Sequence, residues 1–416
     1  MNLDKQYNLT ENKSFCMLPW THLHITPAGV TAPCCVATTH SNPEIDNIRG
    51  STIKSEINSD KMNNLRKSML DGVLSKECTT CHLHEQQNIT STRQVLNREL
   101  SQYYDEAVPQ TNIDGSLDDF KMRYFDIRFS NICNFKCRTC GPDYSSQWGL
   151  EINKNSNSDR QIIIHVDNGK NKVIEEVLEQ VPNMRLAYFA GGEPLITEEH
   201  YVILEEMIRT GAAKNVQLKY NTNASNFKYK DKDLLSIWKH FDKGVIVDAS
   251  VDHYGSRAEY IRHGTDWATV ESNIRLLRTL PYVSLRMNTV LSIFNILTIG
   301  DFYDYLIKND LYNNQDMGYL VYNMISPAYL SCHILPPKYK TQGTNSIMTA
   351  ISLLLQNKFS MAKIVQLKHA YTWSKTYDTW DIQKDEFKRE INRLDILRNE
   401  DFRKTFPELA GLLDME

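Results

Sequence analysis

Nine cysteines mark where this 416-residue chain can do chemistry, and they are unevenly placed. Cys133, Cys137 and Cys140 stand in the run CNFKCRTC. Thiolates at that spacing can wrap one face of a cubane cluster. A 4Fe–4S cluster has four irons, so three ligands leave one iron without a protein partner. Zinc with a distant fourth ligand, or three buried cysteines, are the other readings of the spacing. Zinc ribbons sit on hairpins, whereas this triplet follows a strand pattern, which favours the cluster.

Five more cysteines lie in the first fifth of the chain. The run FCMLPWTHLHITPAGVTAPCC reads as two short strands joined at 27–29, a hairpin that brings Cys16 near Cys34. Cys78 and Cys81 then supply a chelating pair from a turn. Cys16, Cys34, Cys78 and Cys81 are enough to saturate a second 4Fe–4S cluster, and equally enough to hold zinc. Adjacent side chains on a strand point oppositely, so Cys35 can replace Cys34 but not join it. His22, His24, His82 and His84 read as surface or structural residues. Cys332, alone, reads as a small buried hydrophobe.

These residues need elements to position them. Residues 124–130 alternate, with Asp126, Arg128 and Ser130 on one face and Phe125, Ile127 and Phe129 on the other. Similar runs recur at 185–190, 216–223, 245–252, 283–290 and 319–324. Helical patterns at 200–211, 267–280 and 299–308 lie between them. Six strands alternating with helices predict an α/β fold with a parallel sheet. Gln217, Lys219, Asn221 and Asn223 share a face of the third strand. Asp248, Ser250 and Asp252 share one on the fourth, and Ser284, Arg286 and Asn288 one on the fifth. A closed eight-stranded barrel fills its inside with apolar side chains. The polar faces predict instead an open partial (β/α)6 barrel around a polar cofactor and substrate, with a half-solvated sheet as the plainer alternative. The expected organisation is a small N-terminal Cys-rich module at 11–90, a connector at 91–119, the barrel at 120–335 and a helical C-terminal extension at 336–416.

Composition narrows the function classes. With 41% hydrophobic and 24% charged residues, the chain is an ordinary globular protein able to bury a core. A formal net charge of −4 announces no nucleic-acid surface. No apolar run approaches the roughly 20 residues of a membrane helix. Residues 1–13 are polar and mixed in charge, unlike a secretory signal. Clustered cysteines, odd in number, do not fit a secreted disulfide framework, so a reducing, cytoplasmic setting is expected.

The triplet at the exit of the first barrel strand resembles the CxxxCxxC hallmark of the radical S-adenosylmethionine enzymes. The run AGGEP at 190–194 is similar to the family's GGEP and follows the triplet by one βα unit. Asn223 in YNTN resembles the turn after the third strand. Ser250 and Asp252, with Arg262 in YIRHG, resemble the pattern that binds the ribose hydroxyls and the methionine carboxylate. The resemblance covers about residues 120 to 335. It implies that the open iron is chelated by S-adenosylmethionine, which one electron cleaves to a 5′-deoxyadenosyl radical that abstracts hydrogen from the substrate. It implies cofactor contacts at Gly191, Gly192, Glu193, Asn223, Ser250, Asp252 and Arg262, Glu193 accepting from the cofactor's ammonium. Thr139 departs from the aromatic residue common before the last cysteine.

The N-terminal pattern C…PW…G…CC…CxxC resembles the Twitch or SPASM auxiliary-cluster module, which in most relatives follows the barrel and here precedes it. The resemblance implies oxidative modification of a substrate, a peptide or protein ranked first, then a small molecule such as a sugar or nucleoside, with RNA last on charge. An electron donor such as flavodoxin or ferredoxin is implied as a partner. A saturated second cluster would take an electron from the substrate radical; an open one would bind substrate; a purely structural one would hold the small module together. The competing class is a non-enzymatic, zinc-bearing interaction module.

Overall fold

The computed structural model describes residues 8–9, 11–37, 47–156, 158–170, 172–316 and 318–415. Part of the expected Cys-rich module, 38–46, therefore lies outside the described residues. The fold is α/β, built of mostly parallel strands and helices, with a cysteine-rich N-terminal region and a helical C-terminus. It divides into two compact units. One comprises Met1–Ile132, Asp159–Tyr220 and Lys228–Val245; the other comprises Cys133–Ser158, Asn221–Phe227 and Ile246–Glu416.

The first unit carries β1 (His22–Ile25), β2 (Thr31–Ala32), β3 (Tyr124–Ile127), β4 (Leu186–Phe189) and β5 (Gln217–Thr222) up to Tyr220. Their order is β5-β4-β3-β1-β2. β3, β4 and β5 pair in parallel, with Tyr188 opposite Lys219. The alternation in β5 does what a period of two requires: Leu218 and Tyr220 are buried while Gln217 and Lys219 are half-buried. The buried face is aromatic, with Phe189 packed 5.2 Å from Phe125 and 5.3 Å from Tyr220 between ring centres.

β1 joins the N-terminal cysteine-rich region to the other strands of the first unit. β1 pairs antiparallel with β2, as the hairpin signal predicts, but also runs parallel to β3, with His24 opposite Asp126. The reason is burial: all four residues of β1 are buried, and a hairpin whose second strand has two residues cannot stand alone. His22 and His24 complete this seam, their Nδ1 atoms 2.9 Å and 3.1 Å from the carbonyl oxygens of Tyr124 and Asp126. Burial lowers the His22 pKa to about 4, so the ring is neutral and structural.

The second unit holds β8 (Val245–Ser250) from Ile246 on, β9 (Val283–Leu291) and β10 (Gly318–Asn323), the numbers β6 and β7 belonging to a ribbon at Lys228–Tyr229 and Lys232–Asp233. β9 and β10 are parallel. Polar residues expected on neighbouring faces meet: Arg286 donates to both carboxylate oxygens of Asp248, at 2.5 and 2.8 Å. The helices Gly255–Ile261, Trp267–Arg278 and Ile299–Lys308 follow the strands. The C-terminal extension forms the helices Pro337–Gln356, Met361–Trp373 and Trp380–Arg398. Within this unit, Phe387, Ile391 and Leu394 form a buried stripe at helical spacing. Beyond them, Phe402 and Phe406 pack 5.5 Å apart, Phe406 lying 5.2 Å from Tyr260.

Candidate functional site

The N-terminal cysteines are delivered by three short elements of the first unit. Cys16 precedes the single helical turn Leu18–Thr21, and Cys34 follows β2. Cys78 ends the turn Lys76–Cys78, and Cys81 lies in the next helix, Thr79–Gln86. Three residues apart on helical backbone, those two share a face. The four thiols feel one another's charge: Cys16 interacts with Cys78 and Cys81, and Cys34 with Cys16 and Cys81. Burial, the largest cause in each case, pushes all four thiol pKa values up, Cys78 to about 12; neighbouring thiols add to the rise at Cys16, Cys34 and Cys78, and Glu85 to that at Cys81. A metal centre binds only the deprotonated form, so loading this site would release protons. Cys35 turns the other way and faces Asp126, Arg128 and Lys219.

One residue here escaped the sequence reading. Arg93, 2% exposed, lies in the helix Thr92–Leu100 within the expected connector. It donates to the Phe15 carbonyl at 3.0 Å and pairs with Glu85 at 2.8 Å. It thereby ties the backbone before Cys16 to the helix carrying Cys81, and its charge partly offsets the rise at Cys16, Cys78 and Cys81. The only cue was a capping box at Ser91 and Gln94, which marks the start of that helix.

Also in the first unit, the GGEP run closes β4. The Glu193 N–H donates to the carbonyl of Ile132 at 2.8 Å, the residue just before Cys133 in the chain. A Cβ on Gly192 would lie 2.1 Å from that carbonyl oxygen, and Gly191 has φ +132°, so both positions require glycine. Glu193 is buried and accepts from the Leu195 N–H at 3.2 Å.

The triplet lies in the second unit. Cys133 Sγ accepts from the Phe135 N–H at 3.4 Å, and the Trp148 indole donates to the Cys137 carbonyl at 2.8 Å. Asn134 links the loop to the turn after β5, its Oδ1 accepting from Asn223 at 2.9 Å. Burial raises the Cys137 pKa to about 12 and also raises that of Cys140; the nearby Arg262 guanidinium opposes both. Arg262 caps the helix Gly255–Ile261 and lies 2.8 Å from Asp252. Burial disfavours its charge, but Asp252 and the two thiols outweigh that and hold its pKa above the ordinary value. Asp252 also accepts from the Val290 N–H at 2.8 Å. Ser250 ends β8, half-buried, two residues before Asp252. The second unit thus brings together Cys137, Cys140, Asp252 and Arg262, and joins Asn223 to the triplet loop through Asn134.

The donor sets fit iron–sulfur clusters. Soft thiolates dominate both places. Arg262 Nε and Asp252 Oδ2 are buried without a well-directed hydrogen-bond partner, although their charges lie in contact. The pair stands beside the triplet, within electrostatic reach of Cys137 and Cys140. Among the described residues no three His, Cys, Asp or Glu side chains are grouped to hold one metal ion. A cubane makes no such demand, since each of its thiolates binds a different iron.

Residues 16–82 match the family model SPASM, described as an iron-sulfur cluster-binding domain. No curated protein matches the chain. Among solved structures, it is similar to native anSMEcpe with bound AdoMet and Cp18Cys peptide, at 19% identity over 57% of this chain and 61% of that one, with a TM-score of 0.39. SuiB of Streptococcus suis, bound to S-adenosylmethionine, has 12% identity over 72% and 63%, with a TM-score of 0.35. The radical S-adenosylmethionine methyltransferase TsrM from Kitasatospora setae has 13% identity over 48% and 36%, with a TM-score of 0.32. The chain therefore spans less than two thirds of each of these proteins.

Proposed function

We propose that this chain is a radical S-adenosylmethionine enzyme, with Cys133, Cys137 and Cys140 holding the catalytic 4Fe–4S cluster and Cys16, Cys34, Cys78 and Cys81 a second one. The observation that carries the reading is the position of Arg262, a half-buried guanidinium 2.8 Å from Asp252 and within electrostatic reach of Cys137 and Cys140. When bound, the cluster and S-adenosylmethionine supply a 5′-deoxyadenosyl radical that abstracts hydrogen from a substrate.

The chain's residues bind and orient. Arg262 offers a guanidinium fork to the cofactor's carboxylate, a geometry that suits a planar anion. Asp252 keeps that fork charged and, with Ser250, offers oxygens to the ribose. Gly191 and Gly192 leave the backbone open to close approach, and Glu193 offers its carboxylate to the cofactor's ammonium. Asn223 holds the loop after β5 against Asn134.

The SPASM match at 16–82 supports a second cluster rather than zinc at the N-terminal cysteines. A peptide or protein substrate ranks first, by analogy with auxiliary-cluster enzymes, and a flavodoxin or ferredoxin is the class of donor required. The clustering and odd number of the nine cysteines support a reducing, cytoplasmic setting. Among the described residues no helix is long and apolar enough to cross a membrane.

The test is anaerobic reconstitution followed by reduction in the presence of S-adenosylmethionine. About eight irons per chain, as two 4Fe–4S clusters require, and release of 5′-deoxyadenosine are expected. The variant with Cys133, Cys137 and Cys140 all replaced by alanine should keep about half the iron and release none. A colourless zinc protein, or 5′-deoxyadenosine from the triple variant, overturns the reading.

A further inference from the structure

Lys136 and Arg138, which flank Cys137, are both tied to the end of the C-terminal extension. The Lys136 N–H donates to the His263 carbonyl at 2.9 Å and the Arg138 N–H to the Ile261 carbonyl at 2.8 Å. The triplet loop and the segment around Arg262 are thus laced together at alternate residues, with Arg262 between the two bonds. Its side chain lies among Asp252, Cys137 and Cys140, whereas that of His263 meets Glu400, with Nδ1 2.6 Å from Oε1.

Glu400 and Asp395 then hold the loop from outside. Arg138 is 1% exposed, and its Nη2 lies 2.6 Å from Asp395 and 2.5 Å from Glu400. Its guanidinium carbon is 3.7 Å from the centre of the Tyr260 ring, and the Tyr260 hydroxyl donates to Asp395 at 2.6 Å. Arg138 Nε and Nη1 are buried with no hydrogen-bond partner, so its charge is balanced by these two carboxylates and the ring. On the other side, Lys136 pairs with Glu151 at 2.5 Å, and Arg398 grips Glu151 with two nitrogens at 3.1 and 2.9 Å. Every one of these residues belongs to the second unit.

We propose that Asp395 and Glu400 are positioning residues for the cofactor site: by gripping Arg138 and His263 they fix the lacing between 136–138 and 261–263, and so hold Arg262 against the triplet. The proposal rests on the functional reading above. The extension then serves the cofactor site at a distance, without touching cofactor or substrate. A buried arginine deprived of a carboxylate cannot keep its place cheaply, so the loop would shift with it.

The experiment compares reconstituted wild type with Glu400→Gln, Glu400→Asp and Asp395→Asn, using Arg403→Ala as the control. Arg403 pairs with Asp414 on the exposed surface of the same extension. Three quantities are measured: hydrogen exchange at the Lys136 and Arg138 amides, calorimetric affinity for S-adenosylmethionine, and iron content with the EPR signals of each cluster. Glu400→Gln should accelerate exchange at both amides and weaken the cofactor about tenfold, the effect of one charge-assisted contact. It should leave the signal of the N-terminal cluster unchanged. Glu400→Asp should recover part of the affinity, and Arg403→Ala should match wild type. A Glu400→Gln protein that melts earlier but keeps wild-type exchange at those amides and wild-type affinity overturns the proposal. If Glu400→Gln does not fold, Asp395→Asn decides by the same readouts, because it leaves the Glu400–His263 pair in place. Wild type that binds no S-adenosylmethionine overturns the functional reading instead, and the exchange comparison still decides the grip.

Discussion

Arg262 lies 2.8 Å from Asp252, yet neither Arg262 Nε nor Asp252 Oδ2 has a well-aligned hydrogen-bond partner. The pair is electrostatic contact without directional saturation, in a place where Asp252 is 1% exposed. Losing one charge-assisted hydrogen bond to the cofactor costs about 1.5–3 kcal/mol. Arg262→Ala is therefore expected to weaken S-adenosylmethionine binding by roughly tenfold to 150-fold while iron content stays near wild type. Arg262→Lys should recover little, since a point charge cannot reproduce the fork. Calorimetry on reconstituted protein checks both; unchanged affinity in the two variants would show that the arginine serves the fold alone.

Arg93 is expected to decide whether the N-terminal cluster loads. Removing it leaves Glu85, 10% exposed, as an unpaired carboxylate and frees the backbone before Cys16. Breaking one side of a buried pair typically costs about 3–5 kcal/mol. Arg93→Met should lower the urea midpoint and cut iron to about half, as loss of one of two such clusters requires, while the triplet's signal persists. Full iron in a soluble Arg93→Met protein would refute the role.

A pH dependence follows from His165, whose Nε2 lies 2.8 Å from Glu199 and whose Nδ1 lies 2.9 Å from Asp167. The hydrogen bond to Glu199, ahead of an opposing effect of burial, raises the His165 pKa above its ordinary 6.5. A raised folded pKa means the folded state binds the proton more tightly. The stabilisation is complete below the unfolded value and disappears as pH rises through the folded one. Wild type should therefore lose more of its urea midpoint than Glu199→Gln as pH rises above about 6.5. Parallel pH profiles for the two proteins would remove His165 from the account.

What was legible in the sequence is what chemistry demands locally. The spacing of Cys133, Cys137 and Cys140 within eight residues is a local signal, and so is the period-two alternation along β5. Partnerships at long range leave no such trace. Arg138 and Asp395 are 257 positions apart, and Arg93 and Phe15 are 78 apart; nothing in either neighbourhood names the other. The parallel pairing of β1 with β3 was hidden for a related reason. The turn at 27–29 predicts two strands in a hairpin, but it does not say which further edge the first strand will join.

Gly264 lies two residues beyond Arg262. Its φ of +111° lies where side chains are rarely tolerated, and a Cβ there would come within 2.9 Å of the Phe135 ring. Two costs are thus separable. The steric one falls on Phe135, which is 3% exposed and sits between Cys133 and Cys137, so relief by moving the ring would disturb the triplet loop. The torsional one falls on the backbone that carries Arg262 and His263, and left-handed backbone costs a residue with a Cβ about 1–2 kcal/mol. Gly264→Ala should therefore lower both the occupancy of the triplet cluster and the affinity for S-adenosylmethionine, leaving the N-terminal cluster loaded. Adding Phe135→Leu, which shortens the obstructing ring, should restore iron at the triplet but only part of the affinity, because the torsional cost at Gly264 remains. Iron analysis, EPR and calorimetry on the two variants separate the effects. Complete recovery of affinity in the double variant would show that sterics alone matter there, and wild-type behaviour of Gly264→Ala would show that the segment yields without disturbing the site.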